Sequence, residues 1–166
     1  MYKYAAKGGE ESQDIYEGDF VANAKQGIGK MTYSGVGVYY GYWMAGQREG
    51  EGVMTYNNKD VYSGSWKNGK KDGQGTYVFF ETGMKLVGQW RGGEINSGQW
   101  KYPNGTYYEG AFDHNKPKGK GKWQFVNGNI VEGEYTQTRR ADIDGDDIKL
   151  GWETQSDITK PIVSHE

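Results

Sequence analysis

The chain contains no cysteine, only three prolines and only two leucines among its 166 residues. Without cysteine, neither a disulfide framework nor a thiolate metal site can form, and a Cys–His nucleophile is excluded. No stretch approaches the roughly 18 apolar residues that a membrane-spanning helix needs, and residues 1–15 contain no apolar run typical of a signal peptide. These absences predict a soluble protein of the cytoplasm.

Residues suited to catalysis are equally scarce. The two histidines are His114, in a predicted turn, and His165, near the C-terminal end. No Gly-x-Ser-x-Gly elbow or phosphate-binding P-loop occurs, so we expect no enzyme and no cofactor. The acidic run at 142–147 has the composition of a calcium loop, but its acids are out of order and no closing glutamate follows. An acidic surface segment is the preferred interpretation, and no metal site is expected.

Glycine and aromatic residues are abundant instead, with 28 Gly, 14 Tyr and 6 Trp. The aliphatic residues are so few that composition alone would favour disorder. Against this, the net charge is only −2 and disordered segments rarely contain so many rings. We therefore expect burial to come from aromatic rings that lie on a glycine-rich sheet.

A unit of about 23 residues recurs along most of the chain, and such a period is typical of an elongated repeat array. Its clearest copy spans 62–83, where two alternating runs flank Asn68-Gly69, the strongest short-range signal for a hairpin. The repeats start at Tyr16, Tyr39, Tyr62, Leu86 and Tyr108, and a half-repeat starts at Val131. The predicted organisation is a leader at 1–15, an array at 16–135 and an acidic tail at 136–166.

Alternation within each repeat separates two faces of the predicted sheet. Tyr39, Gly41 and Trp43, for example, share one face, whereas the opposite face is polar. Glycine weakens a strand, so we expect each one to leave bare backbone on which a ring from the neighbouring hairpin lies. The glycines assigned this structural role are Gly18, Gly41, Gly64, Gly88, Gly110 and Gly133.

The predicted fold is all-β. It is a single-layer antiparallel sheet of about eleven strands, built from stacked hairpins, elongated and twisted. The leader is either a mobile segment or part of an edge strand. In the tail, the alternation of Ile148, Leu150 and Trp152 predicts one further short strand.

The repeating unit resembles the MORN repeat, whose pattern is Tyr-x-Gly-x-Trp followed by Gly-x-Gly and an apolar-x-Tyr strand end. The copies that carry this resemblance are YEGDF…GIGKMTY, YSGSWKNGKKDGQGTY and YEGAFDHNKPKGKGKW. Repeat four departs from the pattern, with Leu86 in place of Tyr and Asn96 in place of the first Gly of Gly-x-Gly. We therefore expect repeat four to pack differently from its neighbours.

The order of segments from YVFFETGMKLVGQW to AFDHNKPKGKGKWQFVNGNIVEGEY further resembles the radial spoke head members of this family. That resemblance implies a scaffold in the axoneme of motile cilia or flagella, within the cytoskeleton. It also implies that the partners are other radial spoke head proteins and the central apparatus. Self-association through the open edges of the sheet is a further expectation.

Two groups of side chains are candidates for partner contacts. An exposed aromatic patch usually marks a binding surface, although the rings could equally serve the packing of the array itself. The aromatic candidates are Trp43, Trp66, Trp90, Tyr39, Tyr62 and Tyr108. The second group is an alternating run whose members point to one face, namely Lys116, Lys118, Lys120 and Lys122.

The lysine run raises an alternative function, an adaptor that binds acidic phospholipids at a membrane or cytoskeletal junction. The simpler interpretation is a solvated strand whose charges discourage edge-to-edge aggregation. Residues 16–135 carry a net charge of only +2, which is too weak to attract nucleic acid or a membrane at long range. Nucleic acid is not expected as a partner, and lipid is the lesser expectation.

Overall fold

The computed structural model describes residues 2–5, 14–139 and 148–155. The acidic run at 142–147 and His165 lie outside these ranges. The described part consists of strands joined by turns, namely β1 (Tyr2–Ala5), β2 (Ile15–Val21), β3 (Ala24–Tyr33), β4 (Gly37–Met44), β5 (Gln47–Tyr56), β6 (Val61–Lys67), β7 (Lys70–Val78), β8 (Lys85–Arg91), β9 (Glu94–Lys101), β10 (Tyr107–Asp113), β11 (Lys116–Gln124), β12 (Ile130–Arg139) and β13 (Ile148–Thr154).

These strands form one antiparallel sheet in which every strand pairs with its neighbours in sequence. The predicted fold class is thereby confirmed. The described residues contain thirteen strands rather than about eleven, because both chain ends contribute one. The leader supplies the edge strand β1, and the tail supplies β13, in which Trp152 lies opposite Tyr135 of β12.

Two-residue turns close the hairpins. Ala45-Gly46 and Asn68-Gly69 have positive φ at both positions, as the turns that match the right-handed twist of the strands require. His114 and Asn115 form the corresponding turn between β10 and β11, with φ of 52° and 58°. The hairpin predicted from Asn68-Gly69 is confirmed, because Lys67 pairs with Lys70 across this two-residue turn.

A β-bulge follows the turn in repeats one, two, three and five. In repeat two, the pairing shifts between Gly41 and Trp43, and Gly50 takes the left-handed conformation with φ of 73°. The first glycine of Gly-x-Gly therefore serves the backbone of the bulge. Repeat four has Asn96 at this position and a shorter irregularity between Gln89 and Trp90. Its local geometry differs from that of its neighbours, as predicted.

The core is one-sided. Along β4, Gly37, Tyr39, Gly41 and Trp43 are buried, whereas the residues between them are exposed or intermediate. We call this buried side the ring face and the other side the polar face. Within the described residues no helix could span a membrane, and no group of three or more acidic or histidine side chains could hold a metal ion.

Candidate functional site

The ring face is built on glycines that leave no space for a side chain. A Cβ atom added at any of the six predicted structural glycines would lie closer than 3.0 Å to a ring or to backbone atoms. At Gly52 and Gly75, the second glycine of Gly-x-Gly, the nearest atoms belong to Tyr39 and Tyr62. Each of these tyrosines therefore lies flat over two opposed glycines of its own hairpin.

This arrangement corrects the expectation that the ring on each glycine comes from the neighbouring hairpin. The neighbour contributes in a different way, because the tryptophan of the next hairpin packs against the tyrosine. Trp66 Nε1 donates a hydrogen bond of 3.1 Å to the carbonyl oxygen of Gly52 in the preceding repeat. Trp43 and Trp90 donate in the same way to Gly29 and Gly75, at 3.2 and 3.1 Å. Each indole thus ties two repeats together.

Tyrosines and tryptophans alternate in one continuous row across repeats one to four. Successive ring centroids are 5.1 to 5.3 Å apart, and the rings meet edge to face at 77° to 90°. Such contacts stabilise a protein beyond the area that they bury. The row consists of Tyr16, Trp43, Tyr39, Trp66, Tyr62 and Trp90.

All six aromatic residues selected as partner contacts are buried, with exposures of 4% or less. The chain itself covers Trp43, Trp66, Trp90, Tyr39, Tyr62 and Tyr108, so the structure does not offer them to a partner. This corrects the prediction of a binding surface at these six positions. The physical reason is that a ring exposed on an isolated hairpin becomes buried when the neighbouring hairpin stacks against it.

A second row of rings on the same face remains partly exposed. Its members end or nearly end the second strand of each repeat, next to the loops that join the repeats. We call this set the border row, and it consists of Tyr33, Tyr56, Tyr77, Trp100 and Trp123. Phe79 and Tyr102 extend it, with centroids 4.9 Å from Tyr77 and 5.3 Å from Trp100. The border row is the aromatic surface of the ring face that a partner could reach, and Tyr40 and Tyr42 are exposed on the opposite face.

Asp60 holds the border row next to the Glu81-Thr82-Gly83 insertion, which follows Phe80 in the chain. Its carboxylate accepts hydrogen bonds from the Tyr77 hydroxyl, the Phe80 backbone N–H and the Asn58 side-chain amide, at 2.8, 2.8 and 2.9 Å. Burial alone would raise the pKa of Asp60, but the three hydrogen bonds outweigh it and leave the pKa below its ordinary value. The insertion is therefore attached to the ring face.

Three cations that the sequence reading missed also lie on the ring face. Each pairs across its own hairpin with the aromatic residue that ends the Tyr-x-Gly-x-Trp motif. The pairs are Lys25 with Phe20, Arg48 with Trp43, and Lys71 with Trp66. Each cation covers the tryptophan of the next repeat, with centroid distances of 4.7 Å to Trp43, 4.5 Å to Trp66 and 4.5 Å to Trp90 respectively. We call these three residues the cation track. Their 23-residue spacing is the sequence signal that could have revealed them.

Backbone hydrogen bonds hold the cation track in register with the next hairpin. The N–H groups of Gly46, Gly69 and Gly93, which lie in the following turns, donate to the carbonyl oxygens of Lys25, Arg48 and Lys71 at 2.9 to 3.1 Å. Arg48 also donates from Nη2 to the carbonyl oxygen of Gly69. These bonds fix the position of each cation relative to the indole that it covers.

The four-lysine run lies on the polar face, where acids balance it. Lys118 pairs with Asp113 at 2.7 Å and Lys122 with Glu109 at 3.5 Å, and Lys120 lies opposite Glu134 in the sheet. Lys116 lies opposite Asp113 in the register of β10 and β11. The strand therefore presents mixed charge rather than a uniform basic surface.

The described part of the chain is an all-β repeat protein with a single layer. Its buried tyrosines lie on glycines of their own hairpins, and three of its indoles bond to the preceding repeat. Comparison with known families gives the class a name. The model of the MORN repeat matches residues 16–38, 39–61, 62–81 and 108–130, together just over half of the chain. The chain belongs to the MORN-repeat family. No curated protein matches it closely enough to identify a relative.

The unmatched stretch at 82–107 contains the irregular repeat. There Leu86 replaces the tyrosine, and a Cβ atom on Gly88 or Gly98 would meet backbone atoms of the opposed strand instead of a ring. MORN repeats indicate a role in protein interaction, and the border row gives this chain a surface suited to that role.

Proposed function

We propose that this protein is a structural scaffold and protein-interaction component of the radial spoke head in the axoneme of motile cilia or flagella. In this role it joins other radial spoke head proteins and helps to transmit contact between the spoke and the central apparatus. The proposal assigns it no catalytic step and no cofactor.

The observation that carries the scaffold role is the border row, a line of partly exposed rings on a sheet whose first four repeats are tied by indole hydrogen bonds. A rigid surface of this kind binds a partner with little loss of conformational entropy on its own side. Tyrosine and tryptophan are also enriched in the residues that contribute most to interface energies.

Support for the radial spoke head comes from the segment order, which resembles that of radial spoke head protein 1. Its distinguishing points are the Glu81-Thr82-Gly83 insertion and the sequence Asn115-Lys116-Pro117 before Gly-x-Gly. Asp60 anchors the first, and the second places Pro117 in the buried ring face opposite Phe112. Both segments therefore make specific contacts with the sheet.

Fractionation of a ciliated cell that expresses the chain tests the proposal. We expect the protein to remain with axonemes after washing with salt and detergent, and beating to fail when the chain is removed. Recovery only in the detergent-soluble membrane fraction would contradict the proposal. An axonemal tubulin serves as the marker for the insoluble fraction and a ciliary membrane protein as the marker for the soluble one.

A further inference from the structure

In the described part of the chain, the cation track forms no ion pair. No carboxylate within the described ranges lies at ion-pair distance from Lys25, Arg48 or Lys71. Asp14 and Glu94 act on Lys25 and Lys71 only at a distance, and Asp14 accepts a hydrogen bond from the Ser34 N–H. Among the described residues, the track is therefore a line of partly buried positive charges that lie against ring faces and, for Arg48, also against the carbonyl oxygen of Gly69.

The spacing of the track is regular. Its members occupy the same position in successive hairpins, on β3, β5 and β7, so each lies two strand spacings from the next. Neighbouring strands lie about 4.8 Å apart, which places the cations roughly 9.6 Å apart along the array. A peptide in the polyproline II conformation has three residues per turn and rises about 3.1 Å per residue, so every third side chain points the same way and lies about 9.3 Å further along.

The track ends sharply at repeat four. The positions that correspond to its cations in repeats four and five are Ile95 and Pro117, both fully buried. Beside the track runs the first part of the border row, where Arg48 also covers the ring of Tyr33 at 5.5 Å and Lys71 that of Tyr77 at 5.1 Å. Charges and accessible rings therefore coincide over repeats one to three.

We propose that the ring face of repeats one to three binds an acidic segment of a partner protein in the extended polyproline II conformation, with a carboxylate at every third residue facing Lys25, Arg48 and Lys71. The segment runs across the strands, and its intervening side chains pack on Tyr33, Tyr56 and Tyr77. This inference deepens the proposed function, because it specifies the chemistry of the partner that the scaffold holds.

Charge complementarity favours a carboxylate-bearing peptide over a polyanion such as nucleic acid. The net charge of +2 over residues 16–135 supplies no long-range field, whereas three aligned cations supply a short-range match. Burial holds the pKa of Lys71 down to about 8, with Glu94 partly offsetting it and the rings of Tyr62, Tyr77 and Trp90 around it. A bound carboxylate would relieve that penalty.

Calorimetric titration of the full chain with two synthetic peptides tests the proposal. Both are blocked and about ten residues long, a length that covers three hairpins. One has glutamate at every third position with serine and valine between, and the other has the same composition with its glutamates contiguous. We expect the spaced peptide to bind about tenfold more tightly at low salt, and to weaken as salt is raised.

Variants of the track provide the second measurement. Arg48→Gln and Lys71→Gln should each weaken the spaced peptide about five- to tenfold, as expected for loss of a partly buried ion pair. Lys70→Gln is the matched control, because Lys70 is adjacent but exposed, and it should leave affinity within about twofold. Lys71→Arg keeps the charge and should retain binding, which separates a role in recognition from a role in packing.

Several results would overturn the inference. These are equal affinity for the two peptides, an effect of Lys70→Gln as large as that of Lys71→Gln, loss of binding in Lys71→Arg, or tighter binding of a single-stranded oligonucleotide. If the chain stays with axonemes but binds neither peptide, only this inference fails. If it binds the spaced peptide but is absent from axonemes, the radial spoke proposal fails and the inference stands.

Discussion

At the scale of single residues, Lys71 shows how the ring face combines charge with burial. Its ammonium group lies over Trp90 and within reach of the rings of Tyr62 and Tyr77, which leaves few directions open to water. Cation–π attraction offsets part of the lost hydration. The offset is incomplete, because burial lowers the pKa of Lys71 from 10.5 to about 8.

This pKa predicts how stability changes in alkaline solution. Between pH about 8 and pH 10, an unfolded chain keeps its proton on Lys71 while the folded chain has lost it, so the free energy of unfolding rises with pH. We expect thermal melts to show this rise in the wild-type protein and a flatter profile in Lys71→Met. Lys70→Met, at the exposed neighbour, should keep the rise, and a wild-type profile that falls over this range would contradict the prediction.

At the scale of the hairpin, the repeat is stable only because the next one completes it. Tyr39 covers the glycines of its own hairpin, and Trp66 from the following hairpin covers Tyr39 and donates to Gly52. The same residue also meets Tyr62 in its own repeat at a centroid distance of 5.2 Å. Trp66 is therefore shared by two units.

Replacement of this shared ring should destabilise the whole array. Truncation of a buried aromatic residue costs roughly 3–5 kcal/mol, so Trp66→Ala should lower the free energy of unfolding by about that amount. Trp66→Phe keeps a ring but loses the bond to Gly52, and we expect it to cost less. Chemical denaturation followed by circular dichroism provides the measurement. Unchanged stability with loss of partner binding would instead assign the ring to an interface.

Repeat four keeps its link to repeat three although its own hairpin departs from the pattern. It lacks both the tyrosine and the bulge glycine, yet Leu86 is buried and Trp90 still donates to Gly75 of repeat three. The link between repeats therefore survives where the internal packing of the hairpin has changed. The sequence predicted the departure at Leu86 and Asn96, but it could not predict that Ile95 would end the cation track there.

At the scale of the whole molecule, the buried tyrosines act together. Burial raises the pKa values of Tyr39, Tyr62 and Tyr77, and it raises the pKa of Tyr108 to about 12. These residues lie in hairpins along the length of the sheet, so their hydroxyls are distributed along most of the core. A phenolate at Tyr39, Tyr62 or Tyr108 would be buried against the glycines beneath the ring, and one at Tyr77 would face the Asp60 carboxylate.

This arrangement predicts cooperative unfolding in strong alkali. Above pH about 10, unfolded tyrosines ionise while folded ones stay protonated, so stability present below that pH is lost as pH rises. We expect tyrosinate absorbance and loss of β-sheet circular dichroism to change together. Tyr62→Phe should weaken the pH dependence, whereas Tyr40→Phe on the polar face should not. Ionisation of most tyrosines before any loss of structure would contradict this view.

The sequence by itself determined the repeat, the hairpins and the two faces. Alternation along a strand is a local property, so the side on which Tyr39, Gly41 and Trp43 lie follows from their spacing alone. The departure of repeat four could be predicted for the same reason, because Leu86 and Asn96 break a local pattern.

Only the tertiary structure decided which rings are covered and which are accessible. Trp66 packs against the preceding hairpin and donates there to Gly52, which is 14 residues away. Strand β13 pairs with β12 although β13 lies outside the predicted repeats. The cation track has the same origin, since Lys71 acquires its role from Trp90 in the next repeat. Alternation states the side on which a side chain lies, but contact with the adjacent hairpin determines what it touches there.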